Sequence, residues 1–234
     1  MEDKFNELVN QLRAALGDNL VSVVAYGTAI AAPGNVKPGD YLTLVVADWL
    51  GTNDLNKARP AVRGWVAQGF PLPVFFTRQE FLDSLDVFAV EFRHLKRAYR
   101  VLHGADLIAG REASKDNLRL QIEYELRGKL LRLRSLYLPE SSSVERLMRL
   151  MTESIVSFVR YLRPLLEVLG EAPPLGRLAT VTRVGERLEL DLSSLERILR
   201  LRDEPAPLLD VEAQDLFASY VDCLSKVIAA VDKL

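Results

Sequence analysis

The chain has 234 residues, 49% hydrophobic and 26% charged, which is the make-up of a folded globular protein and not of a disordered one. Its formal net charge is -2, with 11 Lys+Arg against 12 Asp+Glu in residues 1–110 and 19 against 20 in residues 111–234. Neither half is a basic body, which argues against a nucleic-acid binder, and the single cysteine, Cys223, excludes an intramolecular disulfide and a thiolate zinc cluster.

The first segment, MEDKFNELVNQLRAAL, is acidic and amphipathic. It lacks the basic start and continuous apolar run of a signal peptide. No stretch reaches the roughly 18 uninterrupted apolar residues of a membrane span. The expectation is a cytoplasmic protein without membrane association. Phe5, Leu8, Val9, Leu12 and Leu16 recur at helical spacing, and Gly17 supplies a stop. LVSVVAYG, rich in β-branched residues and closed by Gly27, reads as a buried strand. Residues 28–39, with Pro33, Gly34, Pro38 and Gly39, read as a short helix and a loop. YLTLVVA (41–47) is a second strand, 54–68 a helix with Leu55, Ala58, Val62, Trp65 and Val66 inward, and PLPVFFT (71–77) a third strand entered through prolines. Residues 78–86 predict a short helix, 87–92 a short apolar strand, and 94–102 a basic segment ending at Gly104.

After Gly110 the pattern turns helical. Leu118, Ile122, Leu126, Leu130, Leu133 and Tyr137 stripe a long helix over 114–138, supported by Glu123–Arg127 and Glu125–Lys129 in the favourable i,i+4 order. Pro139 breaks it. Ser143 is positioned to cap the next helix, striped by Leu147, Leu150, Ile155, Phe158, Val159 and Leu162, and Pro164 is expected to kink or end it. Residues 170–185 read as a Gly- and Pro-rich loop and RLELDL (187–192) as a weak strand. Ser193 or Ser194 is expected to cap a short helix over 195–201, and Asp210 a last helix over 211–232. Cys223, in that apolar helix, reads as a small core residue.

The informative piece is AYGTAIAAPGNVKPGDYLTLVV. A strand ending in Gly-Thr, about a dozen residues, then an acidic strand, preceded by an amphipathic helix and followed by a helical tail, resembles the nucleotidyltransferase superfamily, in its kanamycin nucleotidyltransferase-like and antitoxin-type members. The likeness covers residues 5–110 well and the rest in general plan. It implies an α+β fold: a small mixed β-sheet nucleotidyltransferase-like domain over 1–110, then a helical bundle domain over 111–234.

In that family the glycine lets a turn pass close to a triphosphate and a hydroxyl with nearby amides binds phosphate. Two carboxylates two residues apart on a strand share a face, and with a third from a later strand they hold divalent metal. By this resemblance Gly27, Thr28 and Asp40 are the nucleotide-binding candidates and Asp40 is also the metal candidate. The second carboxylate position is Leu42, and the third falls on Val74–Phe76, which has no acid. The site is therefore expected to be degenerate. No catalytic residue is assigned, and Mg²⁺ is implied only for an active enzyme. Asp48 lies about 26 Å along a straight strand from Asp40, too far to share a metal. Glu91 is the one acid with a prospect of substituting.

The two histidines, His94 and His103, have no metal-ligand spacing, and His103 reads as a segment-end cap. Ser141–Ser143 has no nucleophile setting. Arg127, Lys129, Arg132, Arg134, Arg146 and Arg149 read as a solvated face, with an anion-binding face as the alternative. Arg93, Lys96, Arg97 and Arg100 offer cations for a triphosphate or pairs for the acids of 80–91. Three functions are carried forward. They are a catalytically inactive relative binding a nucleotide or a protein partner in the old cleft, an active metal-dependent nucleotidyltransferase acting on a hydroxyl acceptor, and a homodimeric scaffold. The apolar surplus at Leu136–Leu138 and in LRPLLEVL (162–169) predicts homo-oligomerisation through the helical domain.

Overall fold

A computed structural model describes residues 1–31 and 36–234, the Thr28 side chain excepted. Pro33 and Gly34 of the expected loop lie outside the described residues. The chain divides into two compact units, Met1–Ala113 and Ser114–Leu234. The architecture is α+β, a four-stranded mixed sheet with helices followed by an all-helical unit.

In the first unit, α1 (Glu2–Leu16) buries Phe5, Leu8, Val9, Leu12 and Leu16, the stripe the spacing dictates. Each such burial contributes about 1.5–3 kcal/mol. A 3-10 turn (Gly17–Asn19) leads into β1 (Leu20–Tyr26). Then follow α2 (Thr28–Ala31), a 3-10 turn (Pro38–Asp40), β2 (Leu42–Ala47), α3 (Thr52–Ala67) and β3 (Val74–Thr77). The unit ends with α4 (Arg78–Asp83), α5 (Ala89–Arg97) and β4 (Tyr99–Gly104). The strand order is β3-β2-β1-β4; β1 is antiparallel to β2 and to β4, and β2 is parallel to β3 through the α3 crossover.

Register assigns the faces, because successive strand residues point to opposite sides. Val23 pairs with Val45 and Ala25 with Thr43. This odd face packs on α1 and α3, with Val23, Ala25, Val45, Phe5, Leu12, Ala58 and Trp65 in one buried cluster. Trp65 stacks on Phe70 with centroids 3.6 Å apart and lies 5.8 Å from Phe5. The even face carries Val24, Leu44, Val46 and Phe76. A chain of rings, Phe76–Phe81–Phe92 at 6.2 and 6.4 Å, brings α4 and α5 to it.

Three expectations for this unit are corrected. α3 buries Ala58, Ala61 and Trp65, whereas Leu55 and Val66, expected inward, are exposed. Residues 87–92 are not a strand: Ala89, Val90, Phe92 and Leu95 form the buried face of α5, and a short apolar run suits either element. The basic segment instead splits, with His94, Lys96 and Arg97 in the last turn of α5, where cations suit the helix dipole, and Tyr99–Gly104 forming edge strand β4. Gly104 is obligatory there. Its φ is +78°, and a Cβ would lie within 1.9 Å of the Val21 carbonyl oxygen.

The second unit comprises α6 (Lys115–Glu140), α7 (Val144–Val168), α8 (Arg177–Leu188), α9 (Ser193–Asp203) and α10 (Asp210–Asp232). Ser114 caps α6 by accepting the Asn117 N–H at 3.0 Å. The Glu123–Arg127 and Glu125–Lys129 pairs form at 2.7 and 3.9 Å. Pro139 falls in the last turn of α6. Pro164 does not end α7, which runs on to Val168 with Pro164 buried. α7 touches α6, α8, α9 and α10, so it needs apolar residues all round. Leu162, Leu165 and Leu166 are accordingly core, which removes the 162–169 surplus as a surface.

Residues 170–185 are not all loop, nor is 187–192 a strand. α8 runs through Gly185, whose site leaves 3.0 Å between a would-be Cβ and the Leu190 carbonyl oxygen, and Glu189 turns the chain back with φ 54°. The α9 cap is Asp191, which accepts the Ser193 N–H at 2.9 Å, rather than Ser193 or Ser194. Asp210 lies inside the first turn of α10, and Glu212 accepts the Leu209 N–H instead. Buried Cys223 donates to the Asp191 carbonyl and accepts from Ser194, both at 3.1 Å. Among the described residues no helix is long and apolar enough to cross a membrane.

Candidate functional site

The site grows from the end of β1. Gly27 has φ +108°, which an L side chain rarely adopts. Its N–H donates to the Ala98 carbonyl at 3.2 Å, and its carbonyl accepts from Ile30 and Ala31, so the strand turns directly into α2. A Cβ here would stand 3.2 Å from the Asp40 carbonyl oxygen and 3.6 Å from Leu42 Cγ. The structure thus brings Gly27, Asp40 and the start of β2 together. Thr28 opens α2, and its hydroxyl lies outside the described part of the structure.

Asp40 is not on a strand. It ends the 3-10 turn, and its Oδ2 accepts the Lys37 N–H at 2.8 Å, closing that turn. Leu42 pairs with Tyr26 on the even face and is 39% exposed. Val74, beside Leu44 on the same face, is 44% exposed, whereas Leu44 and Val46 are buried. The even face therefore opens at the Gly27 end, and the two exposed side chains there, Leu42 and Val74, are apolar.

Glu91 lies in the first turn of α5 and not on a strand. Its field still reaches the sheet: Tyr26 is half-buried, and burial first, then the Glu91 carboxylate, pushes its phenol above the ordinary value. Tyr26 is the site residue that motif reading missed. Its signal was its place directly before Gly27 and two residues along β1 from Val24, which puts both on the same face. Tyr99, its neighbour on β4, donates to Asp106 at 3.0 Å.

The remaining candidates go elsewhere. Asp48, beyond the far end of β2, pairs with Arg78 at 2.8 Å. Lys96 holds Glu112 at 2.9 Å and the Arg111 carbonyl, and Arg100 grips Glu2 with both guanidinium arms over the Phe5 ring. Arg100 thereby holds the Glu2 carboxyl below its usual range. His103 is a ladder residue opposite Val23 and not a cap. Arg127 pairs with Glu123 and Asp232, and Arg146 with Ser142 and Glu140.

The donor set does not fit a divalent metal. Hard cations such as Mg²⁺ and Ca²⁺ take several oxygen ligands. Asp40 is the carboxylate at the glycine turn and is already a cap, Leu42 and Val74 offer no oxygen, and among the described residues no three His, Cys, Asp or Glu side chains converge.

No family model and no curated protein matches the chain. Among solved structures it is similar to a spectinomycin adenyltransferase from Enterococcus faecialis, solved with ATP and spectinomycin. The identity is 15%, 98% of each chain is covered, and the TM-score is 0.52. At that identity the likeness is one of fold: the chain shares the fold of that protein over 98% of its length.

Proposed function

We propose that this chain is a catalytically inactive nucleotidyltransferase-fold protein that keeps the old cleft as a binding surface. One observation carries the reading. Leu42 and Val74 are exposed apolar side chains on the even face beside the Gly27 turn, where metal chemistry needs oxygens. The Gly27 turn and α2 retain a close backbone approach, so the ligand class favoured is a nucleotide held through backbone amides without a metal clamp. Asp40 contributes by fixing the turn after Lys37 and not by ligation. A thermal-shift series with nucleotides, with and without Mg²⁺ or Mn²⁺, tests this. Binding must raise the melting temperature, and the rise is expected to be the same with and without the cation. Cation-dependent transfer of a nucleoside monophosphate to any acceptor, lost in Asp40→Asn, defeats the reading.

The competing reading is an active transferase moving a nucleoside monophosphate to a hydroxyl. Glu91 favours it, since its charge is felt at Tyr26 on the same face. It requires that Glu91→Gln abolish Mg²⁺-dependent transfer. In either reading the protein is cytoplasmic, and its helical unit pairs two chains.

A further inference from the structure

α6 buries Leu118, Ile122, Leu126, Leu130 and Leu133 on one side. The opposite side is not polar. Leu120 is 52% exposed, Tyr124 77%, Leu131 63% and Leu138 77%. At about 100° per residue these four fall within about 40° of each other, a stripe about 27 Å long. A helix apolar on both faces is expected to be covered on both. Leu131 also lines an open groove of about 470 Å³ against α10, with Leu130, Ile228 and Ala229.

The charges beside this stripe say what covers it. On one flank stand Asp116, Glu123, Arg127 and Arg134, acid, acid, base, base. Their spacings are symmetric about Glu125. A parallel copy would set this charged flank against the other, uncharged flank and make no charge pair. An antiparallel copy centred there sets Asp116 opposite Arg134, lays the Glu123–Arg127 pairs that each chain already makes at 2.7 Å side by side with unlike charges facing, and brings Leu120 to within one residue of the level of Leu131. The other flank, Asn117, Gln121, Gly128 and Ser135, has no charge to oppose this. Among the described residues Gly128 has no packing reason: a Cβ there would meet nothing within 4 Å. A mid-helix glycine costs about 1 kcal/mol relative to alanine, and here it lets a second backbone approach.

We infer that the outer face of α6 is a homodimer interface in which two copies pair antiparallel about a two-fold axis near Glu125. This names the surface for the pairing proposed above, and it does not depend on whether the cleft is catalytic. Helices paired about Glu125 overlap over residues 115–135, which leaves Leu138 beyond the contact and covers only about 400 Å² per copy, below the standard size of a stable interface, so the dimer is weak and concentration-dependent.

Sedimentation velocity from low to high micromolar concentration tests it. The wild type is expected to move from one copy to two. Tyr124→Glu with Leu131→Glu is expected to stay at one copy with unchanged circular dichroism, since both side chains are exposed. Arg134→Glu should weaken pairing about tenfold through like charges, and adding Asp116→Lys in the same chain should restore it. A wild type that stays monomeric, a dimer that survives the double glutamate, or a charge swap that fails to rescue each overturns the inference. Nucleotide binding measured on the monomeric double glutamate is expected to be unchanged, which separates failure here from failure of the cleft reading.

Discussion

The two faces of the sheet are built from the same β-branched strands and end differently. The odd face is closed along its length by α1 and α3, with Trp65, Phe70 and Phe5 rings in contact. The even face buries Val24, Leu44 and Val46, carries α4 and α5 through the Phe76, Phe81 and Phe92 rings, and opens at Leu42 and Val74. A sheet needs one sealed face for stability, and the place where the other is left open is where a ligand can reach the backbone. That contrast is the reason to look for function at Gly27 and not at the larger aromatic cluster.

The contrast is breakable in order of effect. Trp65→Ala should cost about 3–5 kcal/mol by denaturant titration, since it empties the sealed face. Gly27→Ala should cost about 1–3 kcal/mol because of its φ and the Asp40 carbonyl 3.2 Å away, and it should also weaken nucleotide binding. Leu42→Asp with Val74→Asp should cost within about 0.5 kcal/mol per site, both being exposed. The double variant should gain Mn²⁺ binding, read by calorimetry, that the wild type lacks. Equal Mn²⁺ binding in the wild type would show that the open face was never stripped of ligands.

The smallest effect is titrimetric. Tyr26 has a raised folded value, so its contribution to stability is complete below the ordinary phenol range near 10 and is lost as pH climbs through the folded value. Glu91→Gln should bring the Tyr26 absorbance transition part of the way back, burial remaining as the larger cause. A transition identical to wild type would place Glu91 away from the open face.

Much of this was legible in the chain itself. The α1 stripe, β1, β2 and the long α6 and α7 followed from periodicity because each buries a regular set of side chains. α5 and β4 were hidden by one another: Arg97 ends the helix and Arg100 masks a strand at the sheet edge, where half-burial tolerates charge. α8 was hidden because Gly185 reads as a loop signal, although it is there to let the Leu190 backbone fold against a helix. At the site, the nearness of Gly27 to Asp40 was readable from motif spacing, but the use of Asp40 as a turn cap was not, since a single acid looks the same in either role. The apolar excess of 162–169 was misassigned to the surface because sequence does not show that α7 is the central helix.

The pairing of β1 with β4 has a kinetic consequence. β1 is a central strand, yet its second partner is the last strand of the unit to leave the ribosome. Until Tyr99–Gly104 emerge, one ladder of Val23 and Val24 has no mate, and the loop that must close, residues 27–98, is the larger part of the first unit. Native sheet formation is therefore gated by the final strand, whereas α6 and α7, adjacent in sequence and in contact, assemble from local encounters. Refolding is expected to show helical signal first and the sheet later.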